Sequence, residues 1–285
     1  MHLAGLELAH PVLNGSGTFD ALAAHGVFGD ELYERFPFAA YVTKTVTVEP
    51  RGGNSPPRLW EAASGLINSI GLPNGGLNGF LDEELSRLAQ LPVPLIVSVA
   101  GFDLGEWSQL VERIGAQSKV AALELNVSCP NVSSGCEFGS NATEIQRLLR
   151  CLRPLTKGPL IVKLSPNVID VTEVALAAQE CGADALSLIN TLRAMALNPV
   201  TARPWLGGVT GGLSGPAVKP VALAMTAAVA DRCHCPVIGM GGVASGADAK
   251  QFLDVGATCV AVGTESFRDP LAAERVRREL QELRS

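Results

Sequence analysis

The chain has 285 residues, of which 47% are hydrophobic and 18% charged, and its formal net charge is −6. That length suits one large α/β domain or two small ones, with apolar material enough for a substantial core. No block of Lys or Arg offers the electrostatic footprint of a nucleic-acid binder, and the longest apolar stretches, such as 221–230, fall far short of the roughly 20 residues that span a bilayer.

Short apolar, often β-branched runs alternate with helical patterns. The first strands are expected at 12–15, 40–45 and 95–99. Trp107, Leu110, Val111 and Ile114 then recur at helical spacing. A fourth strand is expected at 122–127. Ile145, Leu148, Leu149 and Leu152 form the next helical face, with Thr143 and Gln146 placed as a capping box. The fifth strand, 160–164, precedes a helix capped by Asp170 that runs toward Cys181 and stops at Gly182. Strands at 185–189, 237–240 and 259–262 complete the set. Ser245 opens a helix that ends at Gly256, and Asp269-Pro270 opens the last one, with Asp as N-cap and Pro at N1.

Eight such strands, with about 250 residues as the usual size, predict a single α/β domain over 1–285: a (β/α)8 barrel rather than a doubly wound open sheet. Two stretches, 47–79 and 192–215, are too long for plain connections and rich in Gly, Pro and Asn. Each follows a strand, so they are expected to form the lid and rim of a site at the C-terminal face of the barrel.

The seven cysteines lack the dense, even pattern of a disulfide framework and read mostly as small buried hydrophobes of a reducing compartment. Cys233-His234-Cys235 offers ligand types too few and too close for a zinc cage, so no metal is expected. The opening HLAGLELAHPVL has no basic segment followed by an apolar one, hence no signal peptide, and a cytoplasmic location is expected.

The segment Leu125-Asn-Val-Ser-Cys-Pro-Asn131 closes the fourth strand and packs Asn126, Ser128, Cys129 and Asn131 into six residues. Amides there can bind a planar polar ligand, and a thiol on a loop can serve as a base. The same residues can equally be a polar turn with an inert thiol. Lys163 ends the fifth strand inside an apolar run, where it either snorkels outward or serves a site. Gly239-Met-Gly-Gly242 and Val262-Gly-Thr264, one β/α unit apart, have the placing of a barrel phosphate site built from backbone N–H groups. No strand–GxGxxG–helix unit stands near the N-terminus, so a Rossmann NAD site is not supported.

LNVSCPN resembles the catalytic-loop motif of class 1 dihydroorotate dehydrogenases, and other segments match that family in order along nearly the whole chain. The resemblance implies FMN as cofactor and oxidation of (S)-dihydroorotate to orotate in pyrimidine synthesis. It implies that Cys129 removes the C5 proton while the C6 hydride passes to flavin N5; class 2 enzymes have serine there and carry an N-terminal membrane-associating extension. Asn14-Gly-Ser-Gly-Thr18 looks like the first flavin-contacting strand end, with Ser16 and Gly17 at the cofactor. Gly15 stands where the family often has alanine. Thr43-Lys-Thr45 resembles the next strand end, placing Lys44 at flavin and substrate and Thr45 at flavin. Asn68-Ser-Ile-Gly-Leu-Pro-Asn74 resembles the substrate loop, with Asn68, Gly71 and Leu72 at the pyrimidine.

Asn126, Asn131, Asn190 and Thr191 would complete the substrate contacts, and Asn126 would also touch the cofactor. Lys163 would be the cation beside the flavin N1–C2=O edge. Ile189, Gly215, Gly241, Gly242, Gly263 and Thr264 would line the rest of the FMN site.

Leu188-Ile-Asn-Thr-Leu192, Ser64-Gly-Leu-Ile-Asn-Ser-Ile-Gly-Leu72 and Gly208-Val-Thr-Gly-Gly-Leu-Ser-Gly-Pro-Ala-Val-Lys-Pro220 look like the NAD-linked branch of class 1, although Arg193-Ala-Met195 stands where that branch has Gly-Met. That branch implies a homodimer joined to an FAD- and [2Fe–2S]-containing partner as a heterotetramer; this chain has no cysteine cluster spaced for an iron–sulfur centre of its own. The rival readings are a fumarate-linked enzyme, a related FMN-barrel oxidoreductase, a flavin-free sugar-phosphate barrel and a non-catalytic scaffold. The last would be expected to lose Cys129 or Lys44, and neither is lost.

Overall fold

The computed structural model describes residues 1–127 and 138–284. Its centre is an eight-stranded parallel sheet, here numbered β1 (Val12–Asn14), β2 (Tyr41–Val42), β3 (Leu95–Val99), β4 (Ala122–Asn126), β5 (Leu160–Lys163), β6 (Ala185–Leu188), β7 (Val237–Met240) and β8 (Cys259–Val262). The strands neighbour one another in the order β1-β8-β7-β6-β5-β4-β3-β2. A side chain strengthens the closure between β1 and β2. Asn14 donates to Val42 O at 2.7 Å and accepts from Val42 N at 2.8 Å, while Ala39 N donates to Val12 O at 2.9 Å. The buried carboxamide thus stands in for a missing ladder rung, and the sheet forms a (β/α)8 barrel.

All eight expected strands are present, the second much shorter than expected. Around them lie α1 (Ala21–Phe28), α2 (Gly76–Gly79, continuing through a π turn Phe80–Glu84 into Leu85–Leu88), α3 (Leu104–Gly115), α4 (Ala142–Leu152), α5 (Val171–Glu180), α6 (Lys219–Arg232), α7 (Gly246–Asp254) and α8 (Ala272–Glu282). The apolar stripe of α3, Trp107, Leu110, Val111 and Ile114, is buried against the barrel, and so are Ile145, Leu148, Leu149 and Leu152 of α4. Each such side chain contributes roughly 1.5–3 kcal/mol by leaving water. Asp170 and Ser245 cap α5 and α7 as expected. Two starts differ. Asn141, not Thr143, caps α4 by accepting from Glu144 N at 3.0 Å, two residues earlier in the chain. The last helix begins at Ala272, because Asp269 spends its side chain on Leu271 N and on Arg275.

The pleat divides the strands between two cores. Outward residues such as Leu123, Leu125, Val162, Leu186 and Leu188 join the helices. Inward residues such as Leu13, Ile96, Ala122, Ile161, Ala185, Ile238 and Cys259 fill the barrel. Leu3 and Leu8, from the N-terminal hairpin His2–Leu3/Leu6–Glu7, plug the end where the strands begin. Cys259 sits in that plug as a small hydrophobe, and burial pushes its thiol up to about 12. Cys151, Cys181, Cys233, Cys235 and Cys259 are free thiols.

The two long stretches do form the rim, but with order the sequence reading did not give them. Leu59–Ala62, Gly65–Asn68, Gly211–Ser214 and Leu192–Ala194 build a four-stranded antiparallel sheet. It carries its own small core of Ile67, Ala196 and Leu206, flanked by Trp60 and Trp205 with ring centroids 4.7 Å apart. Among the described residues no helix is long and apolar enough to cross a membrane.

Candidate active site

Strands that point one way deliver their last residues to one face, and every candidate residue within the described chain lines one cavity there, of about 380 Å³. Ser16 and Gly17 follow β1; Lys44 and Thr45 follow β2. Asn126 and Lys163 are the final residues of β4 and β5, and each is only 7% exposed. Ile189, Asn190 and Thr191 follow β6, Gly241 and Gly242 follow β7, and Gly263 and Thr264 follow β8. The antiparallel sheet supplies Asn68, Gly215 and, just beyond Asn68, Gly71 and Leu72. Cys129 and Asn131 lie outside the described residues.

A chain of hydrogen bonds fixes the amides. Thr45 Oγ1 meets Ser98 Oγ at 3.0 Å and Ser16 Oγ at 3.3 Å, and accepts from Asn126 Nδ2 at 3.1 Å. Asn126 Oδ1 accepts from Asn190 Nδ2 at 3.2 Å, and Asn190 Oδ1 accepts from Thr191 N at 2.8 Å. Asn68 Nδ2 donates to Gly212 O at 3.1 Å. A carboxamide has two donors and two acceptor lone pairs, so these bonds orient each group. Asn167 braces the segment from behind, accepting from Arg193 N at 2.9 Å and donating to Thr191 O at 3.0 Å. The Gly71–Leu72 turn, with φ of +79° and +55°, is tied down by Asn74, whose Nδ2 reaches Leu72 O and Thr47 Oγ1 at 2.9 Å each.

Across the cavity the wall is glycine. Gly242 has φ +80°, and a Cβ there would lie 2.8 Å from both Gly215 O and the Lys219 Cβ; one on Gly215 (φ +91°) would lie 2.9 Å from the Gly65 Cα. Backbone approaches this closely only where side chains are excluded, which makes a cradle for an anion bound by N–H groups. Behind it, Lys219 Nζ donates to Asp248 at 2.5 Å. The cavity thus pairs a cradle with a polar amide face, with Lys44 and Lys163 supplying positive charge; a planar, phosphate-bearing cofactor and a small polar ligand beside it fit these residues.

Ser214, Thr18 and Phe267 also line the cavity but were not singled out as site residues from the sequence. Ser214, which accepts from Thr264 Oγ1 at 2.8 Å, and Thr18 fall inside segments quoted as resemblances, a signal that could have found them. Phe267, an exposed aromatic just beyond β8, carries no comparable signal. Elsewhere, the His234 and Cys235 backbone N–H groups both donate to Gln179 Oε1, and burial pushes the Cys235 thiol up to about 11. Among the described residues no group of His, Cys, Asp and Glu is placed to hold a metal ion.

Comparison with known proteins agrees with this geometry. The family described as dihydroorotate dehydrogenase matches residues 1–283. The dihydroorotate dehydrogenase B (NAD(+)) catalytic subunit of Citrifermentans bemidjiense is 43% identical over 281 residues, 98% of this chain and 91% of the relative. The subunits of the same name from Geobacter metallireducens (43% over 292 residues, covering 99% and 92%) and Desulforudis audaxviator (45% over 284 residues, covering 98% and 90%) are equally similar in extent. With the barrel, the amide face and the glycine cradle all in place and the match running nearly end to end, the chain belongs to the dihydroorotate dehydrogenase family.

Proposed function

We propose that the chain is the catalytic subunit of an NAD-linked dihydroorotate dehydrogenase, oxidising (S)-dihydroorotate to orotate in pyrimidine synthesis. The observation that carries this reading is the convergence of Asn68, Asn126, Asn190 and Lys44 on a cavity whose opposite wall is the Gly215–Gly242 cradle. The names of the relatives support the NAD linkage and the existence of a partner subunit.

The amides hold the two carbonyls and ring N–H groups of the pyrimidine, because each offers both donor and acceptor. Lys44 faces the substrate carboxylate. Asn131 adds a further amide from the segment that also carries Cys129. Cys129 takes the proton from C5. Positioning by fixed amides removes part of the entropic barrier. FMN, when bound, supplies the acceptor for the hydride leaving C6. The backbone N–H groups of Gly215, Gly241, Gly242, Gly263 and Thr264 would hold its phosphate, Ser16, Gly17, Thr45, Asn126 and Ile189 would line its ring, and Lys163 would supply positive charge to stabilise the reduced form. The working assembly is a cytoplasmic homodimer joined to two partner subunits that carry FAD and a [2Fe–2S] cluster, through which electrons reach NAD.

The test is steady-state turnover of the FMN-loaded chain with dihydroorotate, with a redox dye and then with NAD as acceptor. Dye reduction by the chain alone, and NAD reduction only after the FAD/[2Fe–2S] subunit is added, are expected. Dye reduction with another dihydropyrimidine but not with dihydroorotate overturns the substrate assignment. NAD reduction by the chain alone overturns the partner's role.

A further inference from the structure

Three separate chain segments make the cradle: Gly215 ahead of α6, Gly241 and Gly242 after β7, and Gly263 and Thr264 after β8. Glycine lets these backbones approach one another, but it does not hold them together. Charged side chains behind the cavity do that, and the chemistry proposed above does not use them.

The peptide of Ala244, two residues past Gly242, is bonded through both of its polar groups. Its N–H donates to Asp248 Oδ2 at 3.1 Å, and its carbonyl accepts from Arg275 Nη1 at 2.8 Å. Asp248 Oδ2 also accepts from Ser245 Oγ at 2.8 Å, and Asp248 Oδ1 accepts from Lys219 Nζ. Lys219 opens α6, four residues beyond Gly215, so this arm ties the β7 segment to the first one. Arg275, on α8, makes the other arm. Its Nη2 donates to Glu265 Oε1 at 3.1 Å and its Nε to Asp269 Oδ2 at 3.0 Å. Glu265 directly follows Thr264, inside the 3-10 turn Thr264–Phe267.

Arginine suits this place. A guanidinium offers five donors in one plane and can hold a carbonyl and two carboxylates at fixed angles, which an ammonium on a flexible stem cannot. The bonds to Glu265 and Asp269 are charge-assisted, and the Arg275 and Glu265 side chains are only 30% and 18% exposed. A third carboxylate, Glu279, has Oε1 at 3.7 Å from Arg275 Nη1, and its Oε2 accepts from Gly246 N at 2.7 Å.

We infer that Arg275 is a positioning residue of the cofactor's phosphate site, locking the β7 and β8 segments of the cradle to each other through the Ala244 carbonyl and Glu265. The inference rests on the flavin reading of that site. Without the guanidinium, the Ala244 carbonyl loses its partner and Glu265 its cation. The N–H groups of Gly242 and Thr264 then no longer stand at one fixed spacing. Affinity for the phosphate falls, while the amide face on the opposite wall is untouched.

The experiment compares FMN with riboflavin, which has the same ring system and no phosphate, as ligands of the full chain. In R275M the Kd for FMN is expected to rise about tenfold or more, while that for riboflavin stays within about twofold. R275K keeps the charge but not the planar fork, and should fall between wild type and R275M. L3A, at the far end of the barrel, controls for general destabilisation and should move neither affinity.

Equal losses for FMN and riboflavin in R275M assign Arg275 a general structural role and overturn the proposal. So does an FMN affinity equal to wild type. If R275M does not fold, E265A cuts one end of the tie and must show the same selective loss; a parallel loss for both ligands overturns the proposal. A wild-type chain that binds neither flavin overturns the flavin reading instead. Inorganic phosphate alone then probes the cradle, and its protection against thermal unfolding should be weaker in R275M. Equal protection overturns the positioning role, so the two failures are told apart.

Discussion

The two ends of the barrel are built from the same strands and do opposite things. At the floor, Leu3, Leu8, Leu13, Ile96, Ile161 and Ile238 close an apolar plug under the N-terminal hairpin. At the mouth, one or two pleats further along each strand, the inward residues become Asn126, Lys163, Thr45 and glycine. A floor residue acts on stability because it meets only other side chains. A mouth residue acts on binding and chemistry because its remaining hydrogen-bonding capacity faces the cavity.

The comparison breaks most readily at Cys129. Cys129→Ala should keep FMN and orotate binding while turnover falls on the order of 10²–10⁴-fold. Stopped-flow reduction by dihydroorotate checks this, and full activity at neutral pH removes the residue from the chemistry. The matching change at the floor is Leu3→Ala, which should cost about 2–5 kcal/mol of stability with KM for dihydroorotate unmoved. Urea unfolding beside steady-state kinetics separates the two quantities; a changed KM at full stability would erase the division between floor and mouth.

A smaller effect is expected at the cradle. Gly242→Ala puts a Cβ at φ +80° against Gly215 O, with strain of roughly 1–3 kcal/mol. FMN should dissociate more readily, by at least about tenfold, and the FMN-free chain should melt lower by roughly 2–4 °C per kcal/mol of that strain. An FMN affinity equal to wild type would place the phosphate elsewhere.

The smallest effect concerns Glu84, in the π turn of α2 and within the field of Lys44. Burial, then the Asp20 charge, holds its carboxyl above the usual carboxylate range. The folded chain therefore binds this proton more tightly than the unfolded one. Its favourable contribution is present at acid pH and is lost as pH rises from the ordinary carboxylate range through the raised value. Glu84→Gln should match wild type in acid and melt higher at neutral pH; an equal difference at both would contradict the sign.

Much of this was legible from sequence, and the reason differs by region. Strands buried on both faces are short runs such as Leu-Ile-Val-Ser-Val at β3, which few other structures tolerate, so the barrel could be read directly. The antiparallel rim could not. Its strands are Leu59–Ala62, with alternate residues exposed, and the glycine-rich Gly211–Ser214, whose pairing depends on partners some 140 residues away. Thr143 and Asn141 both offer a capping oxygen with a suitable acceptor three residues on, and only the backbone chooses between them. Lys163 is legible as a charge in an apolar strand, and Glu124 gives the same signal inside Leu123-Glu-Leu-Asn126.

The most direct test of the central claim is the visible absorption spectrum of the purified chain, before and after anaerobic addition of dihydroorotate. A flavin spectrum that bleaches is the predicted result, since it joins cofactor, substrate and half-reaction in one cavity. A colourless protein that cannot be reconstituted with FMN would contradict the account.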